Sequence, residues 1–373
     1  MEDSIQDHPD RRRRPGADRV LAGDLRPDGR LRGSAEMSEH PSAGCLLPTE
    51  LRKDPASGRW VLVQSRLAEG NGHGPCPFCP GQEALTPSEI AAYRSNGQPA
   101  NSSDWLVRVI PERSPLLRIE GDIYREGLGM FDRVSGRGAS ELIIEHPDHR
   151  AAWETLAVGE IERVLWMYRD RVADLYRDPQ IRAVLVVRRP PGPTARITHP
   201  FSRVIGAPII FDDLRRELAS AREYFAYKHR CLYCDIVYQE RCDRLRVVQE
   251  TPCYLLYCPY ASHRPLESWI VPTTHRHRFE DVSPAEMADL ARLLHALYRR
   301  LHRLHPGTPV SFTLHTAPNA AMRLRQEEWR TLPEDYHWHI EIAPAGAARD
   351  SLGGFAVNPL PPELAARQLR EAV

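Results

Sequence analysis

Apolar residues along this chain recur with two periods, and the alternation of those periods outlines the fold. Trp60-Val61-Leu62-Val63-Gln64, Leu106 to Ile110, Glu141 to Glu145 and Ala183 to Val187 are short runs of strand character. Between the third and fourth, Val158, Ile161, Leu165, Tyr168, Val172 and Leu175 fall at helical spacing, which predicts a helix opening at Pro147-Asp148-His149. A buried strand is expected at Val204 to Ile210, directly after His199. Asp213 to about Tyr227, with Leu214, Leu218, Ala221 and Phe225 on one face, predicts an amphipathic helix joining two halves.

The pattern then restarts. Strands are predicted at Leu245 to Gln249, Tyr254 to Tyr257, Trp269 to Val271, Val310 to Leu314 and Tyr336 to Ile342. A long helix carrying Met287, Leu290, Leu294, Leu297, Leu301 and Leu304 is announced by Ser283 and by Glu286 three residues later, a capping box. A last short helix runs through Arg370. Each half reads C-x-x-C, strands, His, long helix, strand, His-x-(Phe or His), strand. This order predicts an internal duplication of α+β class, each copy a mainly antiparallel sheet with a helix packed on it, rather than one continuous sheet. The copies span residues 45–212 and 213–373. Residues 1–44 contain Arg11 to Arg14 and almost no apolar periodicity, which predicts a disordered, solvated leader or one that precedes a true start at Met37.

Lysine plus arginine equals aspartate plus glutamate, 50 each, so no global field selects nucleic acid or an anionic membrane. With no long apolar run and no signal-peptide layout, a cytoplasmic protein is expected. Eight cysteines include two C-x-x-C pairs, which in a reducing compartment suit metal or redox chemistry better than structural disulfides. The repeat order nominates two sets of zinc ligands, Cys76, Cys79, His149 and His199, and Cys231, Cys234, His275 and His337. Two thiolates from one turn with two imidazoles make a closed tetrahedral site, so both metals are expected to be structural. Redox dithiols are the rival, and proline-rich Cys76-Pro77-Phe78-Cys79-Pro80 does not suit a redox helix start. Glu217, His315 and His339 are further ligand or acid-base candidates.

Read in order, Arg52-Lys53-Asp54-Pro55, Cys76 to Gly81, Pro147-Asp148-His149, His199-Pro200, Cys231 to Ile236 and Tyr336 to Ile342 resemble the galactose-1-phosphate uridylyltransferase family from about residue 50 onward. ADP-glucose phosphorylase is a close relative and the histidine-triad proteins are distant ones. The resemblance implies a tandem pair of histidine-triad-type modules, a nucleotide sugar or sugar phosphate as ligand, and a possible homodimer. It also implies a uridylyl-histidine intermediate formed by the second histidine of His-Pro-His-Ser-Gln.

Here that motif reads His199-Pro200-Phe201-Ser202-Arg203, and Thr194-Ala195-Arg196 replaces a Gly-Ala-Ser upstream. Phenylalanine has no lone pair for phosphorus. His339, at the matching place in the second half, is the candidate substitute nucleophile, and Arg52, Arg196, Ser202 and Arg203 are the candidates for phosphate. Two outcomes are expected to compete: a nucleotidyltransferase with an altered nucleophile, and a zinc-containing nucleotide-sugar binder without catalysis. A zinc-ribbon nucleic-acid binder is disfavoured by the neutral charge.

Overall fold

The computed structural model describes residues 49–64, 74–189, 197–319, 329–345, 350–352 and 355–372. The arginine-rich leader, Cys45, Thr194 and Arg196 lie outside them. Residues Leu47–Val373 form one compact unit. In chain order its first half contributes β1 (Glu50–Lys53), β2 (Trp60–Val63), β3 (Ala91–Arg94), β4 (Trp105–Pro111), β5 (Arg125–Leu128), β6 (Phe131–Ser135), β7 (Ala139–Ile144), α1 (Val158–Leu175), β8 (Ala183–Arg188) and β9 (Phe201–Ala207). After α2 (Asp212–Lys228) and α3 (Leu232–Asp243) come β10 (Val247–Glu250), β11 (Tyr254–Tyr257), β12 (Ser268–Pro272), α4 (Pro284–Leu304), β13 (Val310–His315), α5 (Leu332–Asp335), β14 (His339–Pro344) and α6 (Pro362–Glu371).

Strands β3, β4, β7, β9 and β8 lie side by side in that order, and β10, β11, β12, β14 and β13 repeat the arrangement with a helix at the same place in each half. The duplication is therefore visible in the topology, and the α+β class holds. The expectation of two separate sheets does not. β8 and β13 pair antiparallel through Phe312–Arg188, Thr313–Val187 and Leu314–Val186, joining the halves into one ten-stranded sheet. Each would otherwise be an open edge with unpaired backbone groups, and pairing edge to edge satisfies both.

α1 and α4 pack together on one face of this sheet. Ile161, Val164, Leu165 and Val172 of α1 and Leu290, Leu294 and Leu297 of α4 are fully buried against Val186, Val204, Phe312 and Ile340. Such side chains each contribute about 1.5–3 kcal/mol by leaving water. Ser283 and Glu286 form the predicted capping box, with the Ser283 amide donating to Glu286 Oε2 at 2.8 Å. The first helix begins only at Val158. Residues from Pro147 to Ala157 are turns, because His146, Asp148 and Glu145 spend their side chains on local and core hydrogen bonds. A second, four-stranded sheet, in the order β2-β1-β6-β5, was not predicted; β5 is exposed throughout and β6 buries only Val134 and Ser135, so neither shows an alternating apolar face. No helix among the described residues is long and apolar enough to cross a membrane.

Candidate functional site

Because side chains alternate along a strand, the sheet face away from α1 and α4 carries Phe201 and Arg203 of β9, Val187 of β8, Thr313 and His315 of β13, and His339 and Glu341 of β14. Three groups of polar side chains gather at or near this face.

Cys76, Cys79, His149 and His199 form the first group, their ligand atoms all within 4.8 Å of one another. His199 sits just before β9, and its Nε2 donates to the His146 carbonyl at 2.7 Å, leaving the Nδ1 lone pair toward Cys79 Sγ at 3.7 Å. His149 Nδ1 lies 3.4 Å from the same sulfur, with Nε2 against Thr198 Oγ1 at 2.9 Å. Burial lowers the His199 pKa, favouring the neutral imidazole that a metal requires. The second group repeats the design with Cys231, Cys234, His275 and His337. His275 Nε2 donates to the Pro333 carbonyl at 2.7 Å and His337 Nε2 to the Thr274 carbonyl at 3.2 Å, so both Nδ1 atoms face sulfur at 3.5 Å. Cys231 and Cys234 share a hydrogen bond that pushes the first thiol up and the second down. Holding the far nitrogen, by a carbonyl for His199, His275 and His337 and by the Thr198 hydroxyl for His149, is the usual support of a metal-ligating histidine, so both donor sets fit zinc. The described cysteines are all free thiols.

Glu217 of α2, His315, His339 and Glu341 form the third group. His315 Nδ1 is 2.9 Å from Glu217 Oε1, and Tyr336 donates to Glu217 Oε2 at 3.0 Å. Burial opposes the Glu217 charge, yet His315 and His339 hold its carboxyl down to about 2. His315, against its own burial, is raised to about 9 by Glu217. Burial takes His339 down to about 4 and Glu341 up to about 7. His339 Nδ1 donates to the His337 carbonyl at 3.3 Å, and its Nε2 has no hydrogen-bond partner among the described residues although Glu217 and Glu341 oxygens stand 3.8 and 3.9 Å away. A buried lone pair aimed between two carboxylates fits a cation.

The His339 ring is completely buried, stacked on Trp269 at 4.8 Å and on Tyr233 at 5.3 Å. Phe201 packs edge-on against Phe78, centroids 5.6 Å apart, beside Trp105, Leu142 and Ile144. Arg203 is engaged with Glu112 at 2.6 Å, and Ser140 donates to the same carboxylate. Ser202 points to the opposite face, buried between Tyr168 at 2.6 Å and Glu145 at 2.5 Å, away from any phosphate on the Phe201 face. Arg52 is exposed on β1 and pairs with Glu50 at 3.1 Å.

Glu112, Glu145 and Glu341 are participants that the sequence reading passed over. Glu341 was within reach of it: two residues after His339 on one strand is the same face, and in the repeat it holds the place of Arg203. Beside the third group, β8, β13, β14 and the start of α2 enclose a cleft of about 630 Å³, with His315 and Glu341 on its floor and Arg189 and Arg264 among its lining.

Comparison with known proteins agrees with this architecture. No protein-family model matches the chain. It is 25% identical over 341 residues to ADP-glucose phosphorylase of Arabidopsis thaliana, covering 86% of this chain and 92% of that one. It is 24% identical over 337 residues to galactose-1-phosphate uridylyltransferase of Thermotoga maritima, covering 86% and 98%. A solved uridylyltransferase superposes with a TM-score of 0.70 at 25% identity, covering 87% of this chain and 98% of that one. In sequence and in fold the chain is thus similar to galactose-1-phosphate uridylyltransferases and ADP-glucose phosphorylase, and the tandem histidine-triad arrangement is consistent with its duplicated sheet.

Proposed function

We propose that this chain, as a relative of sugar-nucleotide transferases, binds a nucleotide sugar or hexose 1-phosphate on the Phe201 face and the adjoining cleft, without forming a nucleotidyl-histidine. The observation that carries the reading is the packing of Phe201 on Phe78 at the start of β9. That position follows a correctly arranged His199, so the loop is held in place while its side chain offers no electron pair. The buried state of His339 supports the same conclusion.

Cys76, Cys79, His149 and His199, and the matching second set, would each hold a zinc ion. With four protein ligands the metal supplies a cross-link that orients the adjoining loops. Glu217, His315, His339 and Glu341 would hold a further cation. Free thiols and zinc sets of this kind suit a reducing cytoplasm. Arg203 can serve a phosphate only by leaving Glu112, so its contribution to ligand binding is conditional on breaking that pair. Arg189 and Arg264, at the cleft, are the guanidinium groups best placed to meet phosphate oxygens, which they match as planar forks.

Incubation with labelled UDP-glucose or ADP-glucose is expected to leave the protein unlabelled after acid-free denaturation, while calorimetry detects binding of at least one of the two. Labelled wild-type protein sinks the non-catalytic reading, and absence of any binding sinks the ligand class. Phe201→His combined with Arg203→Gln should restore a nucleophile on the same strand face and yield labelled protein.

A further inference from the structure

A second cleft, of about 620 Å³, opens between the four-stranded sheet and the far end of β9. Lys53 and Trp60 line it from β1 and β2, Arg125 from β5, and Arg182, Asn319 and Trp329 from the rim of the large sheet. Ile209, also in its wall, follows the C-terminal end of β9, whereas Phe201 opens that strand, so the two places are about 20 Å apart along the chain direction. The volume is that of an ordinary small-molecule site.

Its charge is unbalanced. Arg133 and Arg215 in the lining are each answered by a carboxylate, Arg133 by Glu50 and Glu126, Arg215 by Asp212. Among the described residues Arg125 reaches only the Pro208 carbonyl, at 3.5 Å. Arg182 has no side-chain partner among the described residues, and its charge is disfavoured by burial and by the neighbouring Arg125 guanidinium. Lys53 adds a third cation; of the two lining carboxylates, Glu126 is taken by Arg133, which leaves Asp132. Holding two guanidinium groups near one another, one of them half-buried, is unfavourable unless an anion lies between them. Two planar forks match the oxygens of a diphosphate, and Trp60 and Trp329 give the cleft flat apolar walls.

We propose that this cleft is a separate binding site for a diphosphate-bearing small molecule, gripped by Arg125 and Arg182 and distinct from the Phe201 face. The inference stands whether or not the function proposed for that face is right. The probe is inorganic pyrophosphate, titrated into the intact chain by calorimetry, by tryptophan fluorescence and by thermal unfolding. Wild type should bind saturably and rise in melting temperature. Arg182→Ala and Arg125→Ala should each weaken binding at least about tenfold, and without pyrophosphate Arg182→Ala should melt no lower than wild type, because it relieves repulsion. Arg125, being exposed, provides a variant whose folding is safe. No saturable binding, binding by both alanine variants as tight as by wild type, or loss of binding on Arg203→Ala instead would overturn the proposal.

Discussion

Replacing Glu145 with alanine should be among the most damaging single changes in this chain, although it touches no metal ligand. Its side chain is fully buried at the end of β7 and accepts from Trp153 Nε1 at 2.8 Å, Tyr168 at 3.2 Å, Ser202 at 2.5 Å and Arg188 Nε at 3.0 Å. Arg188 is itself buried, over the rings of Trp153 and Tyr298 at 5.2 and 5.7 Å. Removing the carboxylate leaves that guanidinium without its counter-charge, Trp153 Nε1 without an acceptor, and only one of the Tyr168 and Ser202 hydroxyls able to donate, to the other. Breaking a buried pair by deleting one partner costs about 3–5 kcal/mol. Glu145→Gln keeps the shape and some hydrogen bonds, and should cost about 1.5–3 kcal/mol. Arg188→Met added to Glu145→Ala should recover about 1 kcal/mol or more of the expected sum, since the orphaned charge is gone. Guanidinium unfolding of the four proteins supplies the cycle. A loss below about 1 kcal/mol for Glu145→Ala, or strict additivity with Arg188→Met, refutes the view that this network anchors β9 and with it His199 and Phe201.

Metal analysis of the purified chain should find close to two zinc ions held by the cysteine-containing sets, falling to about one in Cys79→Ala; zinc-free wild type rules both sets out. Acid should weaken the β3–β4 region through Glu89, whose buried carboxyl is held below its ordinary value, against its burial, by bonds from Arg94 at 2.7 Å and Arg108 at 3.2 Å. The folded value being the lower one, this stabilisation is complete above the unfolded carboxyl range, about pH 4.3, and is lost as pH falls through the folded value. The difference in melting temperature between wild type and Glu89→Gln should therefore narrow below about pH 4.3; a constant difference contradicts the assignment.

Much of the site was legible before any coordinates because its signals are local. C-x-x-C puts two thiolates on one turn whatever surrounds it, and the order of motifs in the halves paired each with two histidines. The third group was only partly legible: Glu217 and His315 lie 98 residues apart, and nothing local sets their 2.9 Å contact. Arg203 illustrates the opposite case. Alone in the sequence it reads as a phosphate ligand, and only packing shows that Glu112, 91 residues earlier, already occupies it.

The sequence alone determined the α+β class, through the 3.6- and 2-residue periods of its side chains, the duplication, through the repeated order of motifs, and the capped helix, through Ser283 and Glu286. Tertiary structure decided what depends on partners distant in sequence. It joined the halves through β8 and β13, because two open edges satisfy one another. It buried His339 with its ring stacked on Trp269 and on Tyr233, a setting that the sequence around it does not announce. It also set Arg125 and Arg182 in the wall of one cleft, because the four-stranded sheet meets the rim of the large sheet there and the alternation along each strand says nothing about what faces it.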